Sequence, residues 1–253
     1  MDGSRGLFEP TEKTKYAFKE LCKDNYVFIA SGRNKALLPD VIKNLNPNGY
    51  ILCNGAYGEL NNKPLFKTFF KNEDIEKLKK YVIDHNGFYI LESIDNVYCD
   101  SFDNKAFKLF MKTWGMALTG FNEYKNVVDD EQFSISMIGF LNEEDCLNME
   151  ESISEFCDLA KHLQFLSYDV NIKGIDKGSA VKMIIKILNV DYEDTYAFGD
   201  GINDIEMLQA VNHPIAMDNC AELLKTYNFE KTDDVLWDGF YNYLIKNKLI
   251  KPM

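Results

Sequence analysis

The segment from Phe198 to Leu208 carries the most informative chemistry of the chain. An apolar run ends there in the glycine-rich turn Gly199–Asp204, and a helical pattern follows. In parallel α/β sheets, ligands bind beyond the carboxyl ends of the strands. Asp200 and Asp204 place two carboxylates at such an end with Asn203 between them, and this set suits a hard cation such as Mg²⁺. An ordinary strand-to-helix turn, with one of these side chains as the N-cap, is the alternative.

Three other segments place polar groups beside predicted strand ends or helix starts. Ser31 and Gly32 follow an apolar run and can offer a hydroxyl and N–H groups to an anion, just before a helix predicted to begin at Asn34. Lys177 precedes a predicted helix and can act as a point charge on a phosphate. Asp2 lies in a terminal Asp-Gly-Ser segment. Each also has an ordinary interpretation, namely a helix entry, a solvated lysine and a flexible terminus.

The first and last thirds of the chain alternate helix and strand patterns. Continuous apolar runs predict strands buried on both faces at residues 26–30, 50–53 and 195–198. A further strand is predicted at residues 213–217. The helices predicted around these strands cover residues 11–24, 34–45, 178–188, 202–210, 221–227 and 236–246. This alternation predicts an α/β fold with a doubly wound parallel sheet.

The middle third has a different pattern. It predicts a hairpin, a helix, three strands and a long helix, at residues 57–67, 72–85, 88–92, 96–99, 133–140 and 143–162. Polar and apolar residues alternate from Ser134 to Met137, which predicts a sheet with one solvent-facing side. We therefore expect an α+β insert at residues 58–172, within a core formed by residues 1–57 and 173–253.

Composition limits the partners of the protein. With 28 Lys+Arg and 40 Asp+Glu, the formal charge is −12, which argues against nucleic acid or an anionic membrane surface as the main partner. The six cysteines include no Cys-x-x-Cys pair, so they predict free thiols in a reducing compartment. The sequence contains neither a membrane-spanning apolar stretch nor a signal-peptide core. These features predict a soluble, cytoplasmic protein; they do not predict its oligomeric state.

Taken in order, these segments resemble the motifs of the haloacid dehalogenase-like hydrolases, specifically the Cof-type phosphatases with a type II (IIB) cap domain. Asp2-Gly3-Ser4 resembles the end of the first motif, Ser31-Gly32-Arg33 the second and Lys177 the third. The turn Gly199–Asp204 matches the fourth motif, which is the most specific. Two further stretches that resemble the family are Ala216–Asn219 and Asn54–Ala56. The resemblance covers nearly the whole chain and implies that the insert is the cap.

The resemblance implies a Mg²⁺-dependent phosphatase that forms an aspartyl-phosphate. Asp2 would be the general acid and base, and its backbone carbonyl would bind the metal. Asp200 would bind Mg²⁺ directly, and Asp204 would bind it through water or support the site from behind. The substrate would be a small phosphorylated metabolite, such as a sugar phosphate or a phosphorylated cofactor.

The same resemblance implies a phosphate-binding set. Ser31 and Gly32 would bind the phosphate, with serine replacing the usual threonine. Lys177 would bridge the nucleophile and the phosphate, and Asn203 would orient the phosphate or Lys177. These groups would stabilise the oxygens of the transferring phosphoryl group.

The resemblance departs from the family pattern at the amino terminus. The attacking aspartate would lie two residues before Asp2, on an apolar strand, so we expect both upstream of Met1. Ser4-Arg5-Gly6 also replaces the usual threonine followed by apolar residues. Two alternatives stay open: a phosphate-ester-binding protein without turnover, and a phosphotransferase or phosphomutase. A dehalogenase is disfavoured, because its chemistry does not need the metal that these carboxylates suit.

Overall fold

The structure of the protein is a computed structural model. It describes residues 5–113, 120–124, 134–146, 149–162 and 165–253. The chain divides into two compact units. Unit 1 comprises the described residues up to Gly32, together with Leu38–Lys67 and Asp176–Met253. Unit 2 comprises Arg33–Leu37 and the described residues between Thr68 and Ile175. Within these ranges, no helix has the length and apolar character needed to cross a membrane.

The elements are numbered in chain order. The strands are β1 (Phe28–Ala30), β2 (Gly49–Leu52), β3 (Tyr57–Leu60), β4 (Lys63–Lys67), β5 (Phe88–Glu92), β6 (Val97–Cys99), β7 (Phe121–Glu123), β8 (Ser134–Gly139), β9 (Cys157–Lys161), β10 (Ser167–Ile172), β11 (Tyr196–Gly199), β12 (His213–Met217) and β13 (Glu230–Thr232). The α-helices are α1 (Glu12–Asp24), α2 (Asp40–Lys43), α3 (Asn72–Asp84), α4 (Lys105–Thr113), α5 (Met149–Ile153), α6 (Lys177–Leu188), α7 (Ile205–Gln209) and α8 (Gly239–Lys246). Short 3-10 helices near the candidate site span Cys53–Gly55, Ile202–Asp204 and Val235–Trp237.

Unit 1 contains two sheets. The first has the order β1–β2–β3–β4, with β1 and β2 parallel and the remaining pairs antiparallel. The second has the order β11–β12–β13 and is entirely parallel. Within the described part of the chain, β1 and β11 each lie at the end of their sheet. The predicted α/β fold class with parallel strands is confirmed.

Side chains fix where two helices of unit 1 begin. Thr11 Oγ1 accepts a hydrogen bond from the Thr14 N–H at 3.1 Å, so Thr11 caps α1. Asp176 and Ser179 form a capping box at the start of α6, in which each side chain accepts from the other residue's N–H at 2.6 and 3.0 Å. Lys177 is therefore fixed as the first residue of α6.

Unit 2 is built on one six-stranded sheet in the order β7–β6–β5–β8–β10–β9. Its pairs are antiparallel, except for the parallel pair β6–β7. Leu78 of α3 belongs to the same apolar cluster as Leu91, whereas Phe107 of α4 belongs to that of Ile90. Because side chains alternate along a strand, β5 is buried on both faces. The prediction of a sheet with one solvent-facing side is therefore wrong at β5.

The helix predicted over residues 34–45 is wrong. Only Asp40–Lys43 is α-helical there. The fully buried Asn34 instead donates its side-chain amide to the carbonyls of Ser93 and Asn96, at 2.8 and 3.0 Å. Pro39 also disfavours a helical conformation in the residue before it, so α2 begins only after the proline.

Two further helix predictions are wrong for similar reasons. Residues 143–162 contain the short α5 and then β9, which pairs with β10 over five residues. A partner strand outweighs weak helical spacing in such a segment. Residues 221–227 contain only the 3-10 turn Leu224–Thr226, and the Ala221 N–H donates to the Asp200 carbonyl at 2.9 Å.

The hairpin β3–β4 lies in unit 1, because β3 pairs with β2 along its whole length. The chain passes between the two units after Lys67 and after Ile175, and Arg33–Leu37 also belongs to unit 2. The expected core and cap ranges, 1–57, 58–172 and 173–253, remain predictions about domains.

Candidate active site

One carboxylate closes the loop that follows β11. Asp204 Oδ2 accepts hydrogen bonds from the N–H groups of Asp200 and Gly201, both at 3.0 Å. The strand ends at Gly199, where a larger residue would not fit. A Cβ on this residue would lie 2.7 Å from the Cβ of Asp204, closer than two non-bonded carbons can approach. The side chain of Asp204 therefore sets the shape of the turn that presents Asp200.

The other oxygen of the same carboxylate forms a buried ion pair. Asp204 Oδ1 accepts from Lys177 Nζ at 2.6 Å, and the two side chains are only 11% and 6% exposed. The start of α6 approaches α7 closely, because Gly178 packs against the backbone carbonyl of Glu206. A buried ion pair adds little net stability, since desolvating two charges offsets most of their attraction. The pair places the ammonium group of Lys177 beside the Asp200 loop.

Asp200 is the solvent-accessible carboxylate of the loop. Its Oδ2 accepts from Asn219 Nδ2 at 2.9 Å, and Asn219 Oδ1 accepts from the Val235 N–H at 3.0 Å. Partial burial raises the pKa of Asp200, and repulsion from Asp204 raises that pKa further, whereas Asn219 and Lys177 oppose the change. A cation at Asp200 would offset the repulsion between the two carboxylates.

The turn Cys53–Gly55 links the surrounding loops. Its three residues have φ angles of 53°, 50° and 101°, a backbone region that costs about 1–3 kcal/mol per residue with a side chain. The Asn54 N–H donates to the Ser31 carbonyl at 3.2 Å, and Asn54 Oδ1 accepts from Asn203 Nδ2 at 3.3 Å. The strained turn thus joins the loops that follow β1, β2 and β11.

We expect Gly55→Ala to destabilise the protein by about 2–3 kcal/mol, because it combines a positive φ with a collision between the new Cβ and the Asp176 carbonyl. Urea denaturation of the purified protein measures this loss. Gly174→Ala is the matched control, since Gly174 also has a positive φ, of 73°, but open space around its Cβ position. We expect the control to lose about 1 kcal/mol; equal losses would contradict the close contact at Gly55.

A family model for haloacid dehalogenase-like hydrolases matches residues 8–244 of the chain. The chain belongs to the haloacid dehalogenase-like hydrolases. The family membership predicted from the motifs is confirmed, and with it the prediction that the protein is a hydrolase-type enzyme.

Individual relatives of this hydrolase cover nearly all of its length. YkrA of Bacillus subtilis (strain 168), named as a candidate phosphatase, is 27% identical over 240 residues, which are 94% of this chain and 90% of YkrA. A solved structure from Geobacillus kaustophilus has a TM-score of 0.83 at 24% identity, covering 95% of this chain and 92% of that one. The HAD subclass IIB sugar phosphatase BT4131 has a TM-score of 0.75 at 23% identity, covering 96% and 93%. Both structures share the fold of this hydrolase.

The predicted site residues of this hydrolase come together around two side chains. Asp204 contacts Lys177 and Asp200 directly. Asn54 contacts Asn203 and Ser31, and its side-chain oxygen lies 2.8 Å from the position of a Cβ on Gly32. Asp2 lies outside the described residues. The catalytic and binding roles of all these residues remain predictions.

The segment at Ser31 and Gly32 lacks one feature of the predicted anion site, namely a helix that starts at Asn34. No helix begins at Asn34, so no helix dipole supports an anion there. The Ser31 N–H donates to the Ile51 carbonyl at 2.8 Å and belongs to the sheet. The roles of the Ser31 hydroxyl and of the Gly32 N–H group in binding an anion stay predictions.

Sequence reasoning missed two asparagines as parts of the site. Asn54 connects three loops, and Asn219 holds the carboxylate of Asp200. Both lie in stretches that resemble the family, Asn54–Ala56 and Ala216–Asn219. The signal was therefore present in the sequence, but only the structure shows what each amide contacts.

Asp200 is the side chain in this loop that fits a Mg²⁺ ligand. Its Oδ1 accepts no hydrogen bond within the described part of the chain, and Mg²⁺ needs only one or two protein carboxylates beside water and phosphate oxygens. Both oxygens of Asp204 are engaged, so Asp204 fits a supporting role better than direct coordination. Among the described residues, no three Asp, Glu, His or Cys side chains form a metal-binding group. Water, substrate or other residues would have to complete the coordination.

Proposed function

We propose that this hydrolase is a Mg²⁺-dependent phosphatase that acts on small phosphate monoesters through an aspartyl-phosphate. The observation that carries the proposal is the buried pair of Lys177 and Asp204 beside the accessible carboxylate of Asp200. This arrangement supports the proposal because a buried ammonium group and an accessible carboxylate lie on the same loop system. Hydrolysis of a phosphate monoester uses a positive charge to stabilise the phosphoryl oxygens and a carboxylate to bind the metal ion.

Each described residue has a specific task in the proposal. Lys177 is held by Asp204 and would contact the phosphoryl oxygens, together with the hydroxyl of Ser31. Asn203, held by Asn54, would orient the phosphate. Asp200 would bind Mg²⁺, which when bound screens the repulsion between an anionic nucleophile and an anionic phosphate.

In the proposed reaction, an aspartate oxygen attacks phosphorus and the bond to the substrate oxygen breaks. Asp2 would give its proton to the leaving alcohol and then remove a proton from the water that hydrolyses the aspartyl-phosphate. We place the nucleophile two residues before Asp2, upstream of Met1. The positions of β1 and β11 support this, because both lie at a sheet end and precede site residues. A strand between them would bring its carboxyl end to the same edge.

The proposed substrates are sugar phosphates or phosphorylated cofactors. The subclass IIB sugar phosphatase BT4131, which shares the fold, supports the first class. We place the protein in the cytoplasm, because all six cysteines are free thiols and such cysteines persist in a reducing compartment. Nucleic acid and membrane are not proposed as partners.

The test is Mg²⁺-dependent phosphate release from an aryl phosphate. The chain Met1–Met253 would be compared with a version extended by an apolar strand that ends in Asp-Met, and with Asp200→Asn in both. We expect turnover from the extended protein alone, with Asp200→Asn lowering kcat/KM by at least about 10³-fold. Asp191→Asn, an exposed carboxylate before the amino end of β11, is the matched control and leaves turnover unchanged.

Other outcomes of this experiment separate the alternatives. Equal activity of the two chain lengths would contradict the position assigned to the nucleophile. Binding of Mg²⁺ and phosphate without turnover by either chain would favour a non-catalytic phosphate-ester-binding protein. Transfer of phosphate to an added alcohol in place of release to water would identify a phosphotransferase.

A further inference from the structure

A cavity lies at the carboxyl ends of β12 and β13, and none of its lining residues belongs to the candidate active site. Its volume is about 590 Å³, which falls within the range of small-molecule sites. Asp218 follows β12 directly, Asp233 follows β13, and α8 supplies Asn242 and Lys246. The carboxyl edge of a parallel sheet is where ligands bind in this class of fold.

An exposed indole forms part of the cavity. The side chain of Trp237 is 73% exposed, which is unusual for such a large apolar group. Its backbone is held firmly, because the Trp237 N–H donates to the Asp234 carbonyl at 2.9 Å and Asp234 pairs with Arg5 at 2.7 Å. An exposed indole face on a held backbone suits a flat heteroaromatic ring.

Two lysines in the cavity have no protein partner. Neither Lys231 nor Lys246 forms an ion pair or hydrogen bond within the ranges that the structure describes, whereas Lys225 near by pairs with Glu222 at 2.7 Å. The cavity also carries three aspartates, of which Asp234 is paired with Arg5, so an anion would be bound at the two lysines and not by the charge of the cavity as a whole. Lysine acts as a point charge for phosphate.

Carboxylates on the same cavity provide acceptors for hydroxyl groups. Asp233 is oriented by Asn242, whose Nδ2 donates to Asp233 Oδ2 at 2.8 Å. Asp218 is exposed at the end of β12. Carboxylates in such positions commonly accept hydrogen bonds from ribose hydroxyls.

We propose that this cavity binds a nucleoside monophosphate. The base would stack on Trp237, the ribose hydroxyls would donate to Asp218 and Asp233, and the phosphate would lie between Lys231 and Lys246. The 3-10 helix that contains Trp237 is also connected to the active site. The Val235 N–H donates to Asn219 Oδ1, and Asn219 Nδ2 donates to Asp200 Oδ2. The binding site itself does not rest on the proposed phosphatase activity.

The test is fluorescence titration of Trp237 with AMP. The chain has two tryptophans, so Trp114→Phe leaves Trp237 as the sole emitter. The titration is made with EDTA, so that Mg²⁺-dependent turnover cannot consume the probe. We expect a saturable change in emission with a Kd below about 1 mM. We also expect the Lys231→Met/Lys246→Met double variant to weaken binding at least about tenfold.

Controls assign the emission change to this cavity. Lys182→Met removes an exposed lysine of α6 outside the cavity and leaves the affinity unchanged. Adenosine binds more weakly than AMP, and ribose 5-phosphate leaves the emission unchanged. The proposal is overturned by no saturable change up to about 5 mM AMP. It is equally overturned by equal affinity for adenosine and AMP, or by an unchanged affinity in the Lys231→Met/Lys246→Met double variant.

Discussion

Asp204→Ala is expected to lower the free energy of unfolding by about 3–5 kcal/mol. The substitution leaves the ammonium of Lys177 buried at 6% exposure without its partner, and an unpaired buried charge is costly. It also removes the acceptor for the N–H groups of Asp200 and Gly201, which shape the loop. Urea denaturation followed by circular dichroism measures the loss.

The matched control is an ion pair of similar length on the surface. Glu222 and Lys225 lie 2.7 Å apart with exposures of 88% and 41%, so Glu222→Ala is expected to change stability by no more than about 0.5 kcal/mol. Adding Lys177→Met to Asp204→Ala should recover part of the loss, because no unpaired charge then remains buried. Equal midpoints for Asp204→Ala and Glu222→Ala would show that the Lys177 pair is not desolvated.

The stability of the protein is expected to fall by about 3 kcal/mol between pH 4.5 and pH 7 because of Glu92. This side chain is 7% exposed, and burial raises its pKa from 4.5 to about 7. Ser136 and the Asn34 N–H donate hydrogen bonds to Glu92, but its Oε2 has no partner in the described part of the chain. The charged group Asp169 raises the pKa further and Arg33 lowers it.

The direction in which stability changes with pH follows from proton binding. Between the two pKa values the folded protein holds a proton at Glu92 that the unfolded chain releases, so rising pH favours unfolding. Glu92→Gln removes this dependence, and its stability relative to the natural chain should rise by about 3 kcal/mol from pH 4.5 to pH 8. Urea midpoints across this range measure the difference. Glu73→Gln, on the exposed side of α3, should show no such trend; parallel curves for Glu92→Gln and the natural chain would refute the raised pKa.

Local patterns were sufficient to predict the parts of the site that lie on one loop. The turn from Gly199 to Asp204 follows an apolar strand, and its position could be predicted from the sequence, whereas its metal-binding chemistry stays a prediction. Lys177 was predicted at a helix start, and the capping box of Asp176 and Ser179 explains why the helix begins there. The ion pair of Lys177 with Asp204 joins residues 27 positions apart, and no local pattern indicates such a contact.

The incorrect elements share a physical cause. The pattern at residues 34–45 is helical in composition, but the buried amide of Asn34 satisfies carbonyl groups of Ser93 and Asn96 far along the chain. Residues 157–161 form a strand because β10 offers an edge to pair with. In both segments a partner outside the segment outweighs the local preference: the partner is distant for Asn34 and is the next strand for β9.

The division of unit 1 into separate chain segments has a consequence for its synthesis. A ribosome completes residues 68–175 before it makes Asp176–Met253, so unit 2 can fold while unit 1 still lacks β11–β13 and α6. During this interval Ile51 of β2 lacks Ala180 and Ile184, the residues with which it forms an apolar cluster in the folded protein. The apolar strands made first are thus exposed for longest during translation, and a nascent chain paused before Asp176 would present them to chaperones and proteases.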